Sequence, residues 1–455
     1  MKPFILVQGP VATRSGYGNH TRDLVRSLID MDKYDIGIIS LRWGDCPMDA
    51  LNAQDPKDVG IIQRIINGPV NRKPDIFIQV SVPNEFRIEP NSGKDLEQPL
   101  KETFKIGVTA GIETTIASAE FIQGCNRMDL VLATSQHAAN VLKSSTYQKI
   151  DDKTQQPVGE LKLETPVEVL FEGVDLDTYF KTDKLDNNVI TELSEVKESF
   201  CYLFVGHWLK GNMGHDRKDI GMMIKTFCET FKNTNSSKRP ALILKTSGAH
   251  FSICDREIHW NRIQEILSVY GSKAPSVYLL HGDLTDNEMN SLYNHPKIKA
   301  MVSFTKGEGY GRPLAEFATT GKPIIASGWS GQLDFLHKDY CTLLPGQLTK
   351  VHESAADKFI LKESEWFTVN YQYASKVLKD VFKHYKPYVQ KSRKMPQHIK
   401  TNFSMKQMTK RFDELLKLNK ANSAPQHVGL KLPKLKKAGA SNNGIKLPKL
   451  KKVTA

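Results

Sequence analysis

Short apolar runs recur along this chain at spacings that leave room for a helix between neighbours. Phe4-Ile5-Leu6-Val7, Ile36–Ile39, Ile76–Val80, Phe104–Val108, Leu130–Ala133 and Val167–Leu170 occupy the first part. Cys201–Val205, Ala241–Lys245, Val277–His281 and Ala300–Phe304 occupy the second. Runs this short and this apolar predict buried strands, and their alternation with helical segments predicts parallel sheets covered on both faces. At 455 residues the chain is too long for one ordinary core, so two domains plus extensions are expected. Ligands of such sheets bind beyond the carboxyl ends of the strands.

The stretch Phe304 to Gly331, FTKGEGYGRPLAEFATTGKPIIASGWSG, condenses that rule. A strand run enters it, the turn Gly307-Glu308-Gly309-Tyr310-Gly311 follows, and Leu314-Ala315-Glu316-Phe317-Ala318 starts a helix. A helix start offers unpaired N–H groups and the positive end of a dipole, and glycines admit an anionic ligand close to the backbone. Glu308 lies on the turn and Glu316 about one turn inside the helix, so two carboxylates can face one cleft from different depths. Carboxylates beside a phosphate site suit the binding of hydroxyls.

Gly307-Glu308-Gly309-Tyr310-Gly311-Arg312-Pro313-Leu314-Ala315-Glu316, followed by Gly321-Lys322-Pro323-Ile324-Ile325-Ala326-Ser327 and Gly328-Trp329-Ser330-Gly331, resembles the signature of glycosyltransferase family 4 of the GT-B superfamily. The resemblance implies two Rossmann-like doubly wound parallel-sheet domains facing a cleft. It also implies a retaining transferase that takes a nucleoside diphosphate sugar as donor substrate and holds no bound cofactor. In the family the residue matching Glu316 binds the donor ribose hydroxyls and the one matching Glu308 lies near the sugar hydroxyls. The amides of Gly309, Tyr310 and Gly311 would meet sugar or phosphate.

In the first part, the loop Thr13-Arg14-Ser15-Gly16-Tyr17-Gly18 joins the first strand to a helix pattern carrying Leu24, Val25 and Leu28. It lacks the G-x-G-x-x-G of a dehydrogenase. The resemblance places Gly16, Tyr17 and Gly18 at the cleft, near donor phosphates and acceptor. Thr109 to Thr115 carries Glu113, which the resemblance makes an acceptor-side or sugar-contacting carboxylate; a helix cap with Thr114 is the other reading. Phe171 to Phe180 matches the family segment that closes the first domain, with Glu172 in place of the usual Asn. Asp175-Leu176-Asp177 has the letters of a D-x-D metal motif that belongs to a different glycosyltransferase fold, so no metal is expected.

In the second part, Gly206-His207-Trp208 and Arg217-Lys218 match the family pattern whose Arg and Lys neutralise the donor diphosphate. Lys218 matches the Lys; His207 stands where the Arg usually stands, which leaves Arg217 to supply that charge. Fixed cations act most strongly on a leaving diphosphate as its charge grows. Gly282, in His281-Gly282-Asp283-Leu284, occupies the family's base-contact position, and Asp334 stands near the family's usual Glu. Tyr371 to Tyr385 and Ser404 to Leu418 show helical spacing. The expected divisions are an acceptor domain over 1–182, a linker over 183–198, a donor domain over 199–385, a helix crossing back over 386–422 and a tail over 423–455.

Forty per cent hydrophobic and 25% charged residues describe a globular chain, and no apolar run suits a membrane span or signal peptide, so a cytoplasmic protein is expected. Six scattered cysteines without metal-ligand spacing predict free thiols. Residues 428–455 contain eight lysines and no acidic residue, leaving +5 of the chain's +13 for everything else. Gly429-Leu430-Lys431-Leu432-Pro433-Lys434-Leu435-Lys436-Lys437 repeats at Gly444 to Lys452, and its prolines forbid a continuous helix. Such a tail suits a polyanion, DNA or an anionic surface. Two rivals to the main reading follow: a transferase acting on modified DNA bases with the tail as tether, and an inactive nucleotide- or polyanion-binding relic. Glu308, Glu316 and Lys218 argue against the relic, and no motif supports the pyridoxal phosphate of a phosphorylase.

Overall fold

The computed structural model describes residues 2–87, 103–151, 153–248 and 251–423. All ten apolar runs form strands. The first part contains β1 (Phe4–Gly9), β2 (Asp35–Ser40), β3 (Ile76–Val80), β4 (Phe104–Thr109), β5 (Leu130–Ala133), β6 (Tyr147–Ile150), β7 (Pro157–Leu161) and β8 (Val167–Val169). Six of these make a parallel sheet in the order β2-β1-β3-β4-β5-β8, and β6 and β7 pair as a separate antiparallel hairpin. The second part contains β9 (Cys201–Val205), β10 (Ala241–Lys245), β11 (Val277–Leu280), β12 (Ile298–Ser303), β13 (Ile324–Ser327), β14 (Thr342–Leu344), β15 (Gly346–Lys350) and β16 (Glu365–Val369). Its parallel sheet runs β11-β10-β9-β12-β13-β14, with β15 and β16 as an antiparallel pair.

Each sheet is wound outward in both directions from its first strand. The chain leaves β1 for β2 on one side and returns to β3 on the other; it leaves β9 for β10 and returns to β12. At such reversals the loops on either side diverge and leave a crevice beyond the carboxyl ends of the strands. In the second sheet that crevice falls between the loop after β9, which contains Arg217 and Lys218, and the turn after β12, which contains Glu308.

Helices cover the sheets through apolar stripes. Gly16–Met31 is capped by the Ser15 hydroxyl, which accepts from the Gly18 N–H, and it buries Leu24, Val25 and Leu28 against the first sheet. Each such side chain contributes about 1.5–3 kcal/mol. Near the C-terminus, Met395 and Ile399 of helix Met395–Asn402 belong to the second domain's core, whereas Met408, Phe412, Leu415 and Leu416 of helix Met405–Ser423 join the first domain's core. Between them the Val174 N–H donates to Phe403 O at 2.8 Å and the Met405 N–H to Val174 O at 2.9 Å.

Two segments differ from their reading in sequence. The polar stretch read as a linker holds helix Asn187–Ser194, capped by Asp186, with Val189 and Leu193 buried in the second domain's core. Two apolar residues one turn apart suffice for a helix that needs only one edge covered. The pattern over Tyr371 to Tyr385 is interrupted at His384 (φ −125°, ψ 52°), dividing Tyr371–Lys383 from Tyr385–Ser392. All six cysteines are free thiols, with Cys125, Cys201, Cys228 and Cys341 buried. Among the described residues no helix is long and apolar enough to cross a membrane. The lysine-rich repeats at 428–455 lie outside the described residues.

Candidate active site

The turn after β12 is held from below and from across the cleft. Gly311, with φ at +101°, brings the chain into helix Arg312–Ala318, and Pro313 takes the first turn, where a missing N–H costs nothing. Two glycines of the turn also meet the backbone of the first domain. A Cβ on Gly307 would lie 1.8 Å from Glu113 O, and one on Gly309 would lie 1.8 Å from Ala110 O. Both are therefore needed for the backbone of the first domain to pass. Thr134 Oγ1 also donates to Gly309 O at 3.3 Å, and the Gln136 N–H to Asp334 Oδ2 at 2.8 Å.

This approach brings four expected residues together. Lys218 Nζ donates to Glu308 Oε1, and Arg217 Nη1 lies 3.2 Å from Glu308 Oε2, 3.7 Å from Glu113 Oε1 and 2.9 Å from Gly307 O. Burial alone would raise the Glu308 carboxyl, but Lys218 and Arg217 outweigh it and hold Glu308 below the ordinary range. Burial, with Glu308 adding, raises Glu113. Burial also depresses the Lys218 ammonium, against the pull of Glu308. The group forms one shared charge system, and removal of any member changes the others.

Arg217 and Lys218 open onto a cleft of about 750 Å³. Gly16, Val205, Gly206, His207, Lys245, Asp283, Asp286 and Glu316 also line it. The His207 imidazole is pushed down to about 4 by burial and then by Lys218, Lys245 and Arg217, so it is neutral at pH 7 and supplies no cation there. Three cations, Lys218, Lys245 and Arg217, line the cleft around it, of which Lys245 carried no signal in the sequence beyond the strand it ends. Lys245 Nζ donates to Gly282 O at 2.6 Å, which ties the expected base-contact loop to β10.

Glu316 lines the same cleft. Its oxygens accept from Arg312 Nε at 2.8 Å and from the Tyr293 hydroxyl at 3.1 Å. Burial pushes its carboxyl up to about 7 even though Arg312 opposes the shift. Arg312 was passed over in sequence because it fills a position the family pattern leaves open. In the structure it lies 2.5 Å from Asp23 and 3.7 Å from Glu172, both in the first domain. Arg14 makes a second bridge, 2.8 Å from Asp49 and 2.5 Å from Asp283 of the second domain.

Two expected contacts, Tyr17 and Gly18, lie elsewhere, and the side chain of Tyr310 points away from the cleft while its amide stays on the turn. Tyr17 is half-buried with its ring stacked 4.3 Å from Trp43, and its hydroxyl meets Thr109 Oγ1 at 3.1 Å and the Ala110 N–H at 3.0 Å. Gly18 faces Thr13 O, where a Cβ would come within 2.2 Å. The Tyr310 ring packs on Phe335 in the second domain's core. These residues build the walls behind the cleft. Asp175 accepts from Lys57 at 2.7 Å and Thr178 at 2.8 Å, an arrangement of the turn that closes the first domain.

No family model matches the sequence, and no curated protein matches it. Solved structures do match its architecture. Sucrose-phosphate synthase from Thermosynechococcus elongatus superposes with a TM-score of 0.60 at 12% identity over 93% of this chain and 100% of its own. The fold is GT-B. Anabaena HepE, determined with UDP and glucose, superposes with a TM-score of 0.57 at 10% identity over 91% of this chain and all of its own. The trehalose-6-phosphate synthase OtsA gives 0.56 at 11% identity over 91% of this chain and 99% of its own. At such identities the likeness shows the fold alone.

Proposed function

We propose that this chain is a retaining glycosyltransferase that moves a sugar from a nucleoside diphosphate donor to an acceptor bound beside the first domain. The observation that carries the reading is the convergence of Lys218, Arg217 and Lys245 on the cleft at the carboxyl ends of the second sheet, with Glu316 on the same cleft. Three cations suit a diphosphate, and a buried carboxylate suits a pair of ribose hydroxyls. That HepE was determined with UDP-glucose supports a nucleotide sugar as the donor class.

In this reading Lys218 and Arg217 stabilise the diphosphate as it leaves, when its charge is greatest. Glu308, held ionised by the same two cations, accepts from sugar hydroxyls, and Glu113 faces it from the acceptor side. The leaving phosphate takes the acceptor proton, so retention needs no dedicated base. The test incubates the full chain with a panel of nucleotide sugars and follows donor hydrolysis, with the anomer of the released sugar read by NMR before mutarotation. Slow release of the donor's own anomer is the expected result. Failure of every nucleotide sugar to bind or turn over would sink the donor assignment, and release of the opposite anomer would sink retention alone.

A further inference from the structure

Between Tyr371 and Arg411 the chain carries eleven lysines and arginines and a single acidic residue, Asp380. The whole chain has 63 basic to 50 acidic residues, so this surplus is local. Together with the eight tail lysines it exceeds the total of +13, which makes everything else net acidic.

The fold turns this surplus outward and gathers it. On helix Tyr371–Lys383 the stripe of Ala374, Val377, Leu378 and Val381 is buried in the second domain's core, and Lys376, Lys379 and Lys383 are exposed on the other side. Lys386, Arg393 and Lys394 continue the exposed series around helix Tyr385–Ser392. None of these six has a carboxylate partner among the described residues, and Asp380 is taken up by Tyr388 and His384. The Tyr385 hydroxyl donates to Lys299 O at 2.9 Å, and Gly321 lies against Pro396. This end of the series therefore lies beside Lys299, at the amino end of β12, and beside Lys322 before β13, whose ammonium donates to Tyr293 O and His295 O and is pushed down to about 7 by burial and then by Lys299 and Lys181. His295, between them, is pushed down to about 4 by burial and then by Lys297, Lys322 and Lys299. The exposed positive charge thus runs down helix Tyr371–Lys383 from Tyr371, whose hydroxyl donates to Asp219 near the cleft loop, and gathers from Lys383 to Lys394 at one pole of the second domain, at the opposite strand ends from the cleft.

We propose that this pole is a docking surface for the phosphate backbone of a nucleic acid duplex. Uncompensated cations repel one another and hold mobile counterions, and a regular polyanion displaces those ions with a gain in entropy. An anionic bilayer is the competing partner, but a helix that seats in a membrane interface places large apolar side chains beside its cations. From Tyr371 to Arg411 the only strongly exposed large hydrophobic residue is Tyr373. Contacts of this kind read no sequence. With the duplex held at the far pole the cleft stays open, so the bound nucleic acid acts as a tether rather than by occupying the donor site.

The test uses the full-length chain with its eight tail lysines changed to Gln, so that the tail cannot supply the signal. Affinity for a short duplex is measured by fluorescence anisotropy over a series of salt concentrations. Adding Lys379→Gln, Lys386→Gln, Arg393→Gln and Lys394→Gln should flatten the slope of log affinity against log salt by up to about 3.6, at about 0.9 per lost phosphate contact. The charge-preserving set Lys379→Arg, Lys386→Arg, Arg393→Lys and Lys394→Arg should keep the slope, and an unchanged thermal midpoint certifies the fold of both. An unchanged slope in the Gln set overturns the proposal. So does a tail-neutralised chain that binds phosphatidylserine vesicles but no duplex at low salt.

Discussion

Lys218 and Arg217 share one carboxylate, and that sharing shapes what their loss would do. Lys218→Ala should lower turnover about 10²–10³-fold, the range for removal of one group that stabilises developing charge, and should weaken donor binding less. Steady-state kinetics beside calorimetry with the nucleoside diphosphate separates the two; equal losses for the diphosphate and for the bare nucleoside would mean a misfolded loop. Glu316 gives a pH signature. Its folded pKa of about 7 lies above the ordinary 4.5. The native state therefore keeps a proton that the unfolded chain has lost between those values. This residue's contribution to stability declines as pH rises through that window, as does that of Glu172, also raised to about 7 by burial. Donor binding has the opposite slope, because only the ionised carboxylate accepts from two hydroxyls. Affinity should rise as pH passes 7, and Glu316→Gln should remove that rise and cost about 1.5–3 kcal/mol at higher pH. A flat pH profile for the native chain in calorimetry would contradict the ribose role.

At the scale of elements, the turn after β12 and the loop after β4 act as one piece. Gly309→Ala would drive a methyl group into Ala110 O, so turn and loop must part. A misplacement of about 1 Å costs about 100-fold in rate, and turnover should fall by at least that much while each domain keeps its core. Circular dichroism with kinetics checks both halves of this statement. Arg312→Met should cost about 3–5 kcal/mol in chemical denaturation, because it leaves Asp23, Glu172 and Glu316 buried around an uncharged side chain. The strands were legible in sequence because a buried strand needs only a local apolar run. Glu308 and Glu316 were legible because their spacing is local too. The duty of Gly309 and the partners of Arg312 were not: Ala110 lies far back in the chain, and Asp23 is 289 positions from Arg312. The packing of the Tyr310 ring was not legible for the same reason, since Phe335, which covers it, belongs to another element.

At the scale of the whole molecule, the last helix makes the two domains depend on each other. Phe412 is fully buried in the first domain's core although the chain before it belongs to the second. Phe412→Ala should cost about 3–5 kcal/mol, and limited proteolysis should then release the C-terminal helix before either sheet. The backbone bridge between Val174 and Phe403–Met405 has a mechanical consequence. Two chain segments cross between the domains side by side, bonded to each other in both directions. A single crossing would act as a swivel, free to twist as well as bend; a bonded pair resists twist and acts as a door hinge. The domains are left one easy rotation, about the line of that pair. The bridges Arg14–Asp283 and Arg312–Asp23 must part as the door swings; the part-exposed Arg14 pair gives salt a lever on how often it stands open, and the buried Arg312 pair sets a cost that salt changes little.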